Sequence, residues 1–159
     1  MNFRVDDRLI HGIVAAYWVN LLKATRIMVI DDESANNSLM KSSLRMACPK
    51  SVNLSVLTYE KAINNIKAGN YEGQEVFVIT KTPKTYEKMQ RDGISIPFIV
   101  MGNITYSAER IKVCRTVSVN QEEIESLKIL SENNTKIISQ LVPSDTPLDF
   151  MESLNNVLK

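Results

Sequence analysis

Several residue types are scarce in this chain, and each scarcity removes a class of function. Two cysteines in 159 residues, Cys48 and Cys114, lie far apart with no further thiol or histidine at metal-ligand spacing. That argues against both a disulfide-stapled secreted scaffold and a zinc site, and the pair reads as buried thiols of a reducing compartment. Only five glycines are present, and they form neither the phosphate-cradling glycine-lysine loop nor the dinucleotide fingerprint, so no nucleotide has a cradle and no cofactor is called for. Neither sign of charge dominates: 19 Lys and Arg against 18 Asp and Glu leave a formal net charge of +1 and no long-range field to draw nucleic acid or anionic lipid. Any anion must be bound by local charge. No run approaches the roughly 18 to 20 apolar residues of a membrane span, and the N-terminus shows no basic segment followed by an apolar signal core. A soluble, cytoplasmic protein is expected.

What is present is a 44% hydrophobic chain of ordinary domain length, enough for one core, with a single domain expected over residues 1–159. Short β-branched runs alternate with longer stretches of helical period. Strands are expected at Asn2 to Val5, Arg26 to Ile30, Val52 to Leu57, Glu75 to Thr80, Pro97 to Met101, Val113 to Val119 and Lys136 to Leu141. Ile13, Val14, Tyr17, Trp18, Leu21 and Leu22 recur at helical spacing, which predicts a helix from Gly12 to about Lys23. Ser34 is a candidate cap for a helix running to Cys48, where Pro49 closes it. Further helices are expected from Thr58 to Lys67, from Thr82-Pro83 to before Gly93, from Gln121 to Ser131 and from Pro147 to Leu158. Gly102-Asn103 reads as a strand-end turn. Alternation of this kind defines an α/β fold, a single-domain, open, mainly parallel β-sheet flanked by helices on both faces.

The only histidine, His11, ends the run Arg4-Val5-Asp6-Asp7-Arg8-Leu9-Ile10-His11-Gly12. An imidazole of ordinary pKa about 6.5 offers a neutral, nucleophilic nitrogen near pH 7. Strand-end loops of parallel sheets are where ligands bind, and a helix starting at Gly12 leaves the amides of Gly12, Ile13 and Val14 without intrahelical partners. Arg8 supplies a planar fork able to contact two phosphoryl oxygens, while Arg4 and the aspartates can pair to orient it. Asp6 and Asp7 also read as helix caps. A lone histidine with two carboxylates lacks a second soft ligand for a transition metal, although an oxygen-rich magnesium site stays open on spacing alone. With no nucleotide cradle, a protein phosphoryl donor fits better than a nucleotide.

The run Arg4 to Gly12 resembles the active-site loop of IIB components of the mannose, fructose and sorbose class of the bacterial phosphoenolpyruvate-dependent sugar phosphotransferase system. Trp18, Val29-Ile30-Asp31-Asp32-Glu33 with Ala35-Asn36, Met46-Ala47-Cys48-Pro49, Val78-Ile79-Thr80-Lys81-Thr82-Pro83, Gly102-Asn103 and Val142-Pro143 follow in that family's order and spacing. The resemblance implies that His11 takes a phosphoryl group from a phosphohistidine of the IIA partner, through Nδ1, and passes it to a sugar held by the IIC and IID membrane subunits. It further implies Arg8 as the phosphate ligand, Asp6 as its orienting partner, and a cytoplasmic protein attached through the transporter to the inner face of the bacterial membrane. A histidine that must meet two partners has to stay accessible, so the loops at Thr80-Lys81-Thr82 and Gly102-Asn103 are expected to border His11 without covering it; ordinary strand-to-helix turns are the alternative. The family commonly has Gln after His-Gly, where this chain has Ile13, and the first strand is expected to be short. A receiver-like signalling domain is the rival, favoured by Asp6-Asp7 and Lys81, but Ser55-Val56-Leu57-Thr58 offers no acceptor aspartate. An inactive regulatory module is a third reading, supported only by Ile13.

Overall fold

The computed structural model describes residues 1–159, and its strands are β1 (Asn2–Asp6), β2 (Arg26–Ile30), β3 (Asn53–Leu57), β4 (Val76–Thr80), β5 (Phe98–Asn103), β6 (Ile111–Cys114), β7 (Val117–Val119), β8 (Lys136–Ser139) and β9 (Leu148–Asp149). Seven of them form one sheet in the order β3-β2-β4-β1-β5-β8-β9, parallel throughout except for the last pair. The short β1 is hydrogen-bonded on both sides, to β4 and β5, which makes it central. A π-helical segment, Val14–Trp18, runs directly into α1 (Val19–Leu22). The other helices are α2 (Asp32–Ala35), α3 (Ser38–Ala47), α4 (Tyr59–Lys67), α5 (Pro83–Arg91), α6 (Gln121–Glu132) and α7 (Phe150–Leu158).

The period of two in each strand separates two apolar layers. Phe3 and Val5 of β1 join Met28, Val78, Ile99 and Met101 in a layer covered by Ile63, Tyr86, Leu127, Phe150 and Leu154 of α4 to α7. Ile27, Val29, Phe77, Ile79, Val100 and Ile138 point the other way, beneath Val14, Trp18, Val19 and Leu44. Helices therefore cover both faces, as expected for an open parallel sheet. The chain leaves β1 toward the Trp18 face and leaves the adjacent β4 toward the Tyr86 face. Such a divergence opens a crevice at the carboxyl ends of the two strands, and the His11 loop begins there.

Four elements differ from the sequence expectation. Ser34 does not cap a helix; Asp31 caps α2 by accepting from the Ser34 amide at 3.1 Å, and Asn37 caps a separate α3 by accepting from the Met40 amide at 3.0 Å. Two asparagines in succession favour caps over helix interior, and the hydrophobic period runs through them without registering the break. Val113 to Val119 is not one strand but the antiparallel hairpin β6–β7, set outside the main sheet. No Gly, Pro or Asn marks its turn at Arg115-Thr116; the turn is held by tertiary bonds from Thr116 Oγ1 to the Gly102 carbonyl at 2.7 Å and from the Ile104 amide to the Thr116 carbonyl at 3.0 Å. Gly102-Asn103 is strand and not turn, because β5 continues alongside β1 as far as the pair Asp6 and Asn103. The C-terminal helix starts at Phe150, capped by Asp149, since Leu148–Asp149 are taken up by pairing with β8.

Candidate active site at the carboxyl end of β1

Asp6 is the last residue of β1 and is completely buried. A buried carboxylate must have its lone pairs filled, and three groups of the loop fill them. Oδ1 accepts from the Arg8 amide at 3.1 Å, and Oδ2 accepts from His11 Nε2 at 2.8 Å and from Arg4 Nη2 at 3.3 Å. The chain turns tightly to bring these together: the Leu9 amide bonds the Asp6 carbonyl at 2.9 Å, and Leu9 itself sits at φ 58°. A left-handed leucine costs on the order of 1–2 kcal/mol, which burial of its side chain offsets.

Asp6 lies between two guanidinium groups, and a carboxylate can only accept, so its 2.8 Å contact with His11 fits the Nε2–H tautomer. In that tautomer Nδ1 keeps a free lone pair. The His11 side chain is 17% exposed and the Arg8 side chain 48%, with Arg8 Nε 3.8 Å from Asp6. The histidine is thus partly exposed but held, and the arginine is half exposed with only a long ion-pair contact to Asp6. Gly12, Ile13 and Val14 come before the first helical bond, from the Ala15 amide to the His11 carbonyl at 2.9 Å, so their N–H groups are the orphan donors of the helix start. The Ile13 side chain packs against the Trp18 layer, leaving only its backbone for a ligand.

Arg4 is 1% exposed, so its guanidinium does not reach solvent. Its Nη1 donates to the Gln140 carbonyl at 3.1 Å and Nη2 to the Leu141 carbonyl at 3.2 Å. Burial lowers its pKa, opposed by the attraction of Asp6. The guanidinium is sandwiched between the Trp18 ring, 4.9 Å from Cζ, and Gly102, where a Cβ would come within 2.2 Å of Cζ. Gly102 thus belongs to the site from beneath rather than on its rim.

Neither aspartate caps a helix. Asp7 ties the loop to the end of β5, accepting from Asn103 Nδ2 and from the Thr105 amide, each at 2.7 Å, while its own amide bonds the Asn103 carbonyl at 2.9 Å. The second expected rim takes no part in this network. Thr80 is buried in the ladder with Val5, and Lys81 pairs with Asp31 at 3.1 Å and Glu33 at 3.2 Å. Thr82 caps α5, accepting from the Lys84 amide. None of the three is bonded to His11. Sequence reasoning missed Trp18, Gln140 and Leu141 as members of the site. The spacing of Trp18 marked it as core, and a backbone carbonyl 136 or 137 residues from Arg4 leaves no trace in side-chain identity.

Comparison with known proteins defines the class. The family model described as PTS system sorbose subfamily IIB component matches residues 2–158. The fructose-specific EIIB component of Bacillus subtilis is 28% identical over 98% of this chain and 96% of its own length, and the sorbose-specific EIIB component of Klebsiella pneumoniae is 27% identical over 96% and 93%. The mannose-specific EIIAB component of Escherichia coli is 29% identical, matched over 98% of this chain and 48% of its own length. The solved IIBSor domain of the Klebsiella pneumoniae sorbose permease superposes with a TM-score of 0.93 at 26% identity, covering 98% of this chain and 95% of that one. The chain belongs to the sorbose-subfamily IIB components of the phosphotransferase system. Members of this class are phosphotransferases that accept a phosphoryl group from IIA and pass it to sugar, and that is the activity of this protein.

Proposed function

We propose that His11 is the phosphoryl carrier and that it reacts through Nδ1. The observation that carries this is the 2.8 Å bond from Nε2 to Asp6, which occupies one ring nitrogen and frees the other. The Nδ1 lone pair attacks the phosphorus of the phosphohistidine on IIA; the new P–N bond forms as the donor's P–N bond breaks, and the donor imidazole leaves with its electron pair. Phosphorylation at Nδ1 of an Nε2–H ring makes that ring cationic, and the Asp6 carboxylate neutralises it across the same hydrogen bond. Arg8 and the amides of Gly12 and Ile13 receive the equatorial oxygens. In the second step a sugar hydroxyl oxygen attacks phosphorus, the P–N bond breaks with its electron pair returning to Nδ1, which restores the neutral Nε2–H ring, and the hydroxyl proton passes to solvent.

The IIA donor, the IIC and IID transporter subunits and the sugar are the partners this scheme requires. No helix is long and apolar enough to cross a membrane, which fits a IIB domain over residues 1–159 working from the cytoplasm at the inner face of the membrane through those subunits. The test is incubation of wild type and His11→Ala with a phosphorylated IIA protein carrying labelled phosphate. Wild type is expected to take acid-labile label and the variant none; label on the alanine protein would overturn the assignment. Coupling of phosphorus to a ring nitrogen in NMR checks Nδ1.

A further inference from the structure

We propose that Trp18 is a positioning residue for phosphoryl transfer, acting through Arg4 and Asp6 on His11; this rests on His11 being the carrier. Trp18 is 4% exposed, and its one hydrogen bond goes to the Leu141 carbonyl rather than to His11. Its indole Nε1–H donates to the Leu141 carbonyl at 2.8 Å, and the same carbonyl accepts Arg4 Nη2 at 3.2 Å, while the indole ring covers the guanidinium. Residues Gln140 and Leu141 follow the end of β8 and supply two of Arg4's three acceptors. Trp18 thus both pins the segment that satisfies Arg4 and closes the face of its guanidinium away from Gly102.

The consequence lies in how Asp6 Oδ2 is shared. It is claimed by His11 at 2.8 Å and by Arg4 at 3.3 Å, so the histidine has the better bond. Arg4 Nε has no acceptor, so that division depends on the two Nη groups keeping the Gln140 and Leu141 carbonyls. A buried guanidinium that loses the Gln140 and Leu141 carbonyls must find an acceptor, and the nearest is Asp6, which it can grip with two parallel N–H groups. Asp6 then turns away from Nε2–H, the tautomer preference of His11 is lost, and Nδ1 is no longer the uniquely available nucleophile.

The experiment compares wild type with Trp18→Phe, which keeps a ring over Arg4 but removes the N–H donor, and Trp18→Leu, which removes both. Two readouts are taken: nitrogen NMR of the His11 ring, and rapid-quench transfer from a phosphorylated IIA protein that labels wild type. The expected result is an Nε2–H tautomer in wild type, a mixed population in both variants, and transfer slowed about tenfold in Trp18→Leu and less in Trp18→Phe, with KM for the donor unchanged within about twofold. A residue that only fills the core would lower Tm and leave the tautomer alone, so wild-type tautomer and rate in both variants would sink the proposal. If Trp18→Leu does not fold, Trp18→Phe decides the matter on the NMR readout. Failure of wild type to carry label on His11 would refute the carrier assignment instead, and the tautomer comparison would still judge the link from Trp18 to Asp6.

Discussion

Arg8 and Arg4 stand four residues apart in unlike surroundings: one side chain is half exposed and the other is sealed. The Arg8 side chain has only a 3.8 Å approach to Asp6, so its removal costs the fold little. Arg8→Lys keeps the charge and loses the planar fork; loss of one good charge-stabilising contact is worth about 3 kcal/mol, so transfer should slow roughly a hundredfold in a rapid-quench assay with Tm unchanged. Gly102 makes the opposite case. A methyl group there meets the Arg4 guanidinium, which Trp18 prevents from retreating, so Gly102→Ala is expected to destabilise the protein by about 1–3 kcal/mol in urea melts. Transfer by this variant should slow about tenfold, since a displaced Arg4 disturbs Asp6. At this scale the sequence displayed which groups come together, because His11, Arg8 and Asp6 are near neighbours in the chain. It did not display their division of labour: whether an arginine binds phosphate or a carboxylate depends on what covers it.

Among the elements, local signals held wherever capping and period agreed. Thr58 caps α4, Thr82 with Pro83 opens α5, and Asn120 with Glu123 forms a capping box at α6. Where the hydrophobic period ran past a local stop, other contacts settled the outcome: side-chain caps at the α2–α3 break and tertiary bonds in the β6–β7 hairpin. The π-helical turn at Val14–Trp18 is another such case, since apolar spacing cannot distinguish it from an α-helix. The break has a measurable signature. Asn37→Ala removes the acceptor for the Met40 amide and should cost about 1 kcal/mol in chemical denaturation. No hydrogen bond joins Asn37 to the His11 loop, so transfer should be unaltered, and a slowed enzyme would show a coupling between α3 and the site that the geometry does not contain.

On the scale of the whole molecule, the two layers meet at β1, and one residue marks their junction. Tyr86 is wholly buried, its hydroxyl directed at the carbonyls of Arg4 at 2.8 Å and Val78 at 3.0 Å, and burial pushes its pKa above the ordinary phenol value. The unfolded chain releases this proton near pH 10 whereas the native state holds it, so stability is complete below that pH and falls as pH rises beyond it. The slope from this group is about 1.4 kcal/mol per pH unit. Tyr86→Phe should lose about 1 kcal/mol at neutral pH and show a correspondingly shallower alkaline decline in denaturant melts between pH 10 and 12. An unchanged alkaline slope would mean that Tyr86 is not held neutral by the fold. The parallel α/β architecture and the run from Arg4 to Gly12 that gathers His11, Arg8 and Asp6 at the carboxyl end of β1 were legible in the chain, because hydrophobic period, caps and close spacing are local properties. The seclusion of Arg4 and the contacts that Trp18, Gly102 and the Gln140 and Leu141 carbonyls make around it were not, because they arise where β1, β5 and the segment after β8 converge, and contact across more than a hundred residues is decided by packing and not by neighbours in the chain.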